Sequence, residues 1–282
     1  MNFTLNQLRD FAFLFSRREA YRWFKNDFEA IDLKIKRYNL SKKNKGNNYL
    51  SILKDTYKIL EQNYQNEYII KNEFINNWVK NEIQDKNALA FNELRIGKAI
   101  VDLAVFNGSS KAFEIKTILD KEYRLNGQIN EYKKIFNEVY IIIPQSQLSK
   151  YLDFDKDVGV ISYNLSSKLF LLERKPTTNI NIDIETIMEV LHTKEYLKIC
   201  KDFYGDIPSM NASNQFNISK KLISQIPNKD LNKLFIDTIK KRKVNNDFFN
   251  KINNEFNQIC LSLNLNKIDR DIMIDKLKSN TY

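Results

Sequence analysis

Two acidic residues and one lysine lie close together in the sequence, in two neighbouring apolar segments. Asp102 interrupts the apolar run of residues 98–106, and Glu114 and Lys116 stand two apart in residues 111–117. Mg²⁺ prefers one or two carboxylates, with water and substrate phosphate completing its coordination. A bound metal ion lowers the pKa of a coordinated water, and a lysine can stabilise charge on a phosphate. These residue types therefore predict metal-dependent phosphodiester hydrolysis.

The turn-like residues 107–110 separate the two apolar segments and predict a β-hairpin. Because side chains alternate across a strand, Glu114 and Lys116 should share one face, about 6.6 Å apart. On the preceding strand, Asp102 should share a face with Ile100 and Ala104. A register that sets Asp102 opposite Glu114 would bring two carboxylates and an ammonium group together, which is unfavourable on buried strands without a compensating cation. The alternative is an exposed hairpin whose Glu–Lys pair faces solvent.

Hydrophobic patterns around this hairpin predict the order helix, three strands, helix, strand. Residues 69–83 and 120–136 have helical spacing, and residues 88–96 indicate a first strand. Residues 139–143 form a continuous apolar run, which is typical of a strand buried on both faces. A helix joins the third and fourth strands, so these should be parallel or near neighbours. Two segments within residues 158–173 predict one more hairpin.

This order, with Asp on the second strand, Glu-x-Lys on the third and Gln-x-x-x-Tyr on the next helix, resembles the PD-(D/E)XK nuclease superfamily. The matching residues are Asp102, Glu114, Lys116, Gln128 and Tyr132. A mostly uncharacterised bacterial family within that superfamily looks similar to the strings N-E-L-R-I-G-K-A-I-V-D, F-E-I-K-T and R-L-N-G-Q-I-N-E-Y. The resemblance covers residues 66–175 and implies an α/β fold, a restriction-endonuclease-like αβββαβ core with a mixed sheet. The proline of the superfamily's name is missing, since Val101 precedes Asp102.

The resemblance also implies roles for individual residues. Asp102 and Glu114 resemble the metal-binding acids, and Lys116 resembles the catalytic lysine. Many members carry a further metal-holding acid on the first core helix, and Glu73 is the matching candidate. A solvated helix glutamate is the alternative for Glu73. The implied cofactor is Mg²⁺ or Mn²⁺.

Polar residues on two other elements are candidates for contacts with the nucleic acid. Gln128 and Tyr132 share a helix face, and in similar enzymes they contact the site or the DNA backbone; alternatively, Tyr132 is partly core and Gln128 lies at the surface. Arg124 lies one turn earlier and could hold a phosphate or be a solvated charge. On the first strand, Glu93 could be a further acid near the metal and Arg95 a phosphate ligand, or both could belong to an ion pair.

The positive charge is concentrated at the start of the chain. Residues 1–65 carry 13 basic and 7 acidic residues (13 − 7 = +6), and the whole chain carries 45 and 35. Such a basic flank suits a polyanion such as DNA or RNA. Lys42, Lys43 and Lys45 lie in its densest basic stretch and are candidates for contacts with the phosphate backbone. The alternative is a solvated loop.

The chain divides into three predicted regions: a basic helical region (residues 1–65), the nuclease-like core (66–175) and a helical region (176–282). Asp183 is a candidate N-cap. Helices outside the core are predicted at residues 6–24, 49–64, 184–203, 218–226 and 229–240. The C-terminal helices could bind DNA, form a homodimer or contact another protein.

Other chemistries find little support in the composition. His192 is the only histidine, which disfavours a zinc cluster or a Ser-His-Asp triad. Cys200 and Cys260 form no C-x-x-C pattern and should be free thiols. Arg9 and Asp10 interrupt the N-terminus, so we expect no signal peptide. No early apolar string could span a bilayer, and we expect a soluble, cytoplasmic protein without membrane contact.

Together these observations predict a Mg²⁺- or Mn²⁺-dependent nuclease, acting on nucleic acid and on DNA before RNA, in phage defence, restriction or repair. The first alternative is a catalytically inactive nucleic-acid-binding or scaffold protein that keeps the fold. The second is an interaction protein whose helical flanks act through a partner. Binding of Mn²⁺ would separate the nuclease from the scaffold.

Overall fold

A six-stranded mixed sheet between two groups of helices forms this α/β protein, which confirms the predicted fold class. The structure, a computed structural model, describes residues 3–40, 48–83, 88–120 and 122–281. The strands are β1 (Leu89–Ile96), β2 (Ala99–Phe106), β3 (Ser110–Ile115), β4 (Glu138–Pro144), β5 (Gly159–Asn164) and β6 (Leu169–Arg174).

The helices fall before, between and after these strands. Those before the sheet are α1 (Leu5–Leu14), α2 (Arg17–Phe24), α3 (Glu29–Tyr38), α4 (Tyr49–Asn63), α5 (Glu67–Phe74) and α6 (Lys80–Glu82). A π-helical turn, Ile75–Val79, joins α5 to α6. Those between and after the strands are α7 (Leu125–Lys133), α8 (Leu148–Leu152), α9 (Ile184–Val190), α10 (Thr193–Tyr204), α11 (Gln215–Ile223), α12 (Asn228–Ile239), α13 (Asn257–Ser262) and α14 (Lys267–Leu277).

The strands lie side by side in chain order. β3 pairs with β4, and β4 with β5, in parallel; the other neighbours are antiparallel. The predicted parallel pairing of the third and fourth strands is confirmed, and so is the hairpin of β5 and β6. The helix α7 makes the crossover from β3 to β4, as the order of elements predicts.

Each face of the sheet is covered by its own hydrophobic core. The first core joins Phe113 and Ile115 to side chains of α1–α5, α13 and α14. The second core joins Ala112 to side chains of α7–α12. Both predicted flanking regions therefore pack on the sheet, and strict alternation along β3 is confirmed.

Side-chain caps decide where several helices begin. Ser16 accepts a hydrogen bond from the Glu19 N–H and starts α2, which splits the single helix predicted for residues 6–24. Asp183 caps α9 as predicted. His192 is the exposed residue before α10 and marks the break in the helix predicted for residues 184–203. Helix α3 was not among the predicted elements.

Cys200 and Cys260 are both buried free thiols, as predicted. Within the described ranges, no helix is both long enough and apolar enough to cross a membrane.

Candidate active site

The alternation of side chains breaks where β1 passes Asp102. The pairing of β1 with β2 keeps one register but skips Glu93 and Asp102, which would otherwise face each other. Glu93 has a φ of 57°, in the left-handed region that non-glycine residues seldom occupy. Val101 and Ala104, three residues apart, consequently lie in the same core. The prediction that Ile100, Asp102 and Ala104 share one face is therefore wrong for Ile100 and Ala104, because the alternation of β2 breaks between Val101 and Ala104.

β2 and β3 separate beside Asp102. Their ladder ends at the pair Leu103 and Phe113, and one more step of the same register sets Asp102 opposite Glu114. The Ile115 N–H donates to the Asp102 carboxylate at 2.7 Å. Asp102 and Glu114 therefore occupy opposite positions at the end of the hairpin where the two strands part. This is the register that would bring the two carboxylates together.

Glu114 is the centre of a buried hydrogen-bonded cluster. It is 2% exposed, and its Oε1 accepts a hydrogen bond from Lys116 Nζ at 2.7 Å. The Tyr132 hydroxyl lies 2.8 Å from Oε2 and 2.7 Å from the Ile100 carbonyl oxygen. The oxygen of the Gln128 carboxamide is 3.2 Å from Lys116 Nζ. The structure therefore brings four of the predicted site residues together.

A buried lysine on α5 joins this cluster, and sequence reasoning did not single it out. Lys71 is 1% exposed; its Nζ lies 2.9 Å from Glu67 and 3.6 Å from Asp102. Burial disfavours its charge, but Asp102, Glu67 and Glu93 together raise the pKa of Lys71. The only sequence signal is its position four residues after Glu67, which permits a helical ion pair.

The environment of Asp102 favours its protonated form. Burial raises the pKa of Asp102 to about 7; Lys71 opposes this rise, and the neighbouring Glu114 adds to it. Burial also raises the pKa of Tyr132, and the charge of Glu114 raises it further. Tyr132 is thus a neutral hydroxyl that can donate to Glu114.

Glu73 lies in a different cluster. Its Oε1 accepts from the Tyr57 hydroxyl at 2.6 Å, and its Oε2 accepts from Asn77 Nδ2 at 3.3 Å. Glu73 follows Lys71 by two residues, about 200° around the helix, so the two side chains leave α5 in different directions. The structure does not bring Glu73 to Asp102, and the acid on α5 that shares a partner with Asp102 is Glu67.

A groove of about 500 Å³ lies against α7, next to the cluster. Lys98, Tyr123, Arg124 and Gln128 line it, and Gln128 also contacts Lys116. The Arg124 guanidinium lies 5.5 Å from the centre of the exposed Tyr123 ring. Two exposed cations therefore face a groove that reaches the Glu114 cluster.

The remaining predicted contacts are not part of this groove. Arg95 is an exposed residue of β1. Lys42, Lys43 and Lys45 lie outside the described residues, so their predicted contact with a phosphate backbone stays a prediction.

The oxygen atoms around Asp102 are of the type that a hard divalent cation prefers. Asp102 and Glu114 supply two carboxylates, and the Ile115 carbonyl points to the same side of the strand as its N–H. No group of three or more His, Cys, Asp or Glu side chains in the described residues could hold a metal ion. Two carboxylates and a carbonyl nevertheless fit Mg²⁺, which keeps several of its waters.

Comparisons with known proteins place this site inside a recognised family. The model of the family described as bacteriophage P4 protein cII matches residues 60–264. Protein cII of Enterobacteria phage P4 is 31% identical over 160 residues, which cover 54% of this chain and 58% of the phage protein. The chain thus matches less than two thirds of that relative. No solved structure matches. The matched residues include α5, the whole sheet and α7, and therefore every residue of the cluster.

Proposed function

The chain belongs to the bacteriophage P4 protein cII family, and we propose that it is a Mg²⁺- or Mn²⁺-dependent nuclease of the PD-(D/E)XK superfamily. One observation carries this proposal: Asp102 and the hydrogen-bonded pair of Glu114 and Lys116 lie beside the point where the ladder of β2 and β3 ends. A buried carboxylate beside a partly buried one is costly, and a functional site is a common reason for such an arrangement.

The metal would be held by Asp102, Glu114 and the Ile115 carbonyl oxygen. Bound there, it would offset the charge of the two carboxylates and lower the pKa of a coordinated water. Tyr132 holds one oxygen of Glu114 and so fixes the orientation of that carboxylate. This fixed orientation is what a preformed metal site requires.

Lys116 would act on the reacting phosphate. Its ammonium group lies between Glu114 and Gln128, so it is held by two partners instead of being free to rotate. From this position it would orient the attacking water or stabilise the negative charge that develops on the phosphate oxygens. Gln128 is a positioning residue in this mechanism.

The substrate is nucleic acid, and we propose DNA before RNA. Lys98 and Arg124 line the groove together with Gln128 and could bind flanking phosphates. The formal charge of +10 favours a polyanion in general. Action in the cytoplasm, in phage defence, restriction or repair, belongs to the same proposal.

A catalytically inactive nucleic-acid-binding protein is the second candidate, and one observation favours it. Both oxygens of Glu114 already have donors, and Asp102 has Lys71 and the Ile115 N–H as partners. Such a site could be complete without metal. Calorimetry with Mn²⁺ separates the two candidates, because the inactive protein has no reason to bind the ion.

The proposal is tested by incubating the purified chain with linear, circular and single-stranded DNA, and with RNA, in Mg²⁺, Mn²⁺ or EDTA. We expect cleavage by the natural sequence in Mg²⁺ or Mn²⁺, with none in EDTA. Lys116→Ala and Asp102→Ala should lose it, whereas Lys229→Ala, which changes an exposed lysine on α12, should keep it. Cleavage that persists in both site variants would contradict the assignment.

A further inference from the structure

A second polar pocket, of about 590 Å³, lies beside the π-helical turn that follows α5. We call it the α5 pocket, and the residues of its lining that matter here are Glu73, Lys80, Lys168, Asn246, Phe249 and Lys251. The side of α5 that carries Glu73 lines this pocket. Lys71 leaves α5 in a different direction and contacts Asp102. None of the groups proposed for cleavage lines this pocket.

The wall of the α5 pocket has hydrogen-bond acceptors with spare capacity. Glu73 is 3% exposed and accepts from Tyr57 and Asn77, but a carboxylate offers about four lone-pair positions. The Asn246 side chain donates its amide N–H to the Ala88 carbonyl. Its own oxygen, Oδ1, is buried and finds no donor among the described residues. A ligand with N–H groups would satisfy both acceptors.

The rim of the α5 pocket is cationic. Lys80 and Lys251 are exposed. Lys168 is half-exposed, and its Nζ lies 2.7 Å from Glu61 and 3.9 Å from Glu73. Phe249 adds an apolar ring to the lining. An anion would therefore find its counter-charge at Lys80 and Lys251, since Lys168 already serves two carboxylates.

The helix that forms one wall is itself unusual. The π-helical turn Ile75–Val79 contributes Asn76 and Asn77 to the pocket. π-Helical turns are rare and often occur at functional sites, because the extra residue in the turn re-aims side chains. This backbone feature is independent of the charges at the rim and marks the same place.

We propose that the α5 pocket binds a nucleotide. The phosphate would lie between Lys80 and Lys251, the N–H groups of the base would donate to Glu73 and Asn246, and Phe249 would contact the base plane. The volume lies within the range of small-molecule sites, about 300–1,000 Å³. A free mononucleotide and the terminal nucleotide of a strand share this chemistry.

The test measures binding by calorimetry and by thermal unfolding with the full chain in EDTA, so that no metal recruits phosphate to Asp102. The probes are the four ribonucleoside monophosphates, the four deoxynucleoside monophosphates, 5′-phosphorylated tetranucleotides and inorganic phosphate. We expect at least one nucleotide to bind ten-fold or more tightly than inorganic phosphate. Tighter binding of a monophosphate indicates a free nucleotide as ligand, and tighter binding of a tetranucleotide indicates a strand end.

Two double variants with equal change of charge make the test specific. Lys80→Ala/Lys251→Ala should weaken binding ten-fold or more, and Lys229→Ala/Lys233→Ala, at exposed positions on α12, should leave it unchanged. Without ligand both should melt as the natural sequence does. The proposal is overturned if no nucleotide binds better than phosphate, or if both double variants bind alike. Neither result bears on cleavage, which depends on Asp102 and Lys116.

Discussion

Two glutamates of this protein, Glu73 and Glu114, are buried to nearly the same extent, at 3% and 2% exposure. Each has a tyrosine hydroxyl on one carboxylate oxygen and a lysine near the other. The tyrosines are Tyr57 and Tyr132, and the lysines are Lys168 and Lys116. A search of the structure for buried acids with such partners would rank the two alike, yet of these two glutamates we assign metal binding only to Glu114.

The difference lies in what surrounds each glutamate. Glu114 neighbours a second, partly buried acid, Asp102, whose pKa is raised to about 7, and that acid has its own buried lysine, Lys71. At Glu73 the neighbouring lysine is half-exposed and is shared with Glu61. The comparison shows that a buried carboxylate with a tyrosine and a lysine is a stable unit in itself. A second carboxylate beside it is what turns this unit into a candidate metal centre.

The largest expected effect is the loss of cleavage when Glu114 no longer carries a charge. Glu114→Gln keeps the shape of the side chain but weakens its affinity for a cation, so we expect cleavage to fall by about 10²–10³-fold. The rate is measured on the DNA that the natural sequence cuts best. Glu189→Gln, at an exposed position of α9, is the matched control. Equal rates in both variants would exclude Glu114 as a metal ligand.

Calorimetry then compares the two glutamates directly. Glu114→Gln should lose Mn²⁺ affinity, whereas Glu73→Gln should bind Mn²⁺ as the natural sequence does, because Glu73 lies in another cluster. Loss of Mn²⁺ affinity in Glu73→Gln would restore the sequence-based hypothesis that it holds the metal.

The next effect concerns the free energy of unfolding and distinguishes Lys71 from Lys168. Lys71→Met removes a buried charge that faces two carboxylates, so the free energy of unfolding should fall by about 3 kcal/mol at pH 8. Lys168→Met removes a half-exposed charge and should cost less than about 1 kcal/mol. Urea unfolding of both variants measures the difference. Equal losses would mean that solvent already screens Lys71 as well as it screens Lys168.

The raised pKa of Asp102 predicts a pH dependence of stability. Its pKa rises from 3.8 when unfolded to about 7 when folded, so between these values the folded state binds more protons. Asp102 therefore makes stability fall as the pH rises from about 4 to about 7, by at most about 4 kcal/mol, and contributes a constant amount above that.

The contribution of Asp102 is isolated by comparing two pH profiles, because other carboxyls titrate in the same range. The free energy of unfolding is measured by urea between pH 4.5 and 8.5 for the natural sequence and for Asp102→Asn. The difference between the profiles should change steadily up to about pH 7 and then stay constant. A difference that does not vary with pH would show that Asp102 has an ordinary pKa.

The order of elements around Glu114 could be predicted from the sequence because its signals are local. Alternation along β3 separates Ala112 from Phe113, and the structure places them in different cores. The antiparallel pairing of β2 with β3 could likewise be predicted from the short turn between them. These features require no knowledge of what packs on the sheet.

The environment of Asp102 and Lys71 could not be predicted because it depends on distant packing. The string I-I-K-N-E-F of α5 does not show which side of the helix meets the sheet, so Glu73 was a candidate and Lys71 was not. The break in the alternation of β2 lies opposite the left-handed backbone of Glu93, which is on another strand. Strict alternation, which was right for β3, was therefore wrong for residues 100–104 of β2.

The smallest effect separates the two tyrosines. Tyr57→Phe and Tyr132→Phe each remove a hydroxyl that contacts a buried carboxylate, so each should cost about 1.5–3 kcal/mol of unfolding free energy. Cleavage, however, should fall only in Tyr132→Phe, by about ten-fold, because only this hydroxyl orients Glu114. Urea unfolding and the cleavage rate are measured on the same preparations. If the two variants cut equally well, Tyr132 contributes to the second core alone, and Lys116 is enough to orient Glu114.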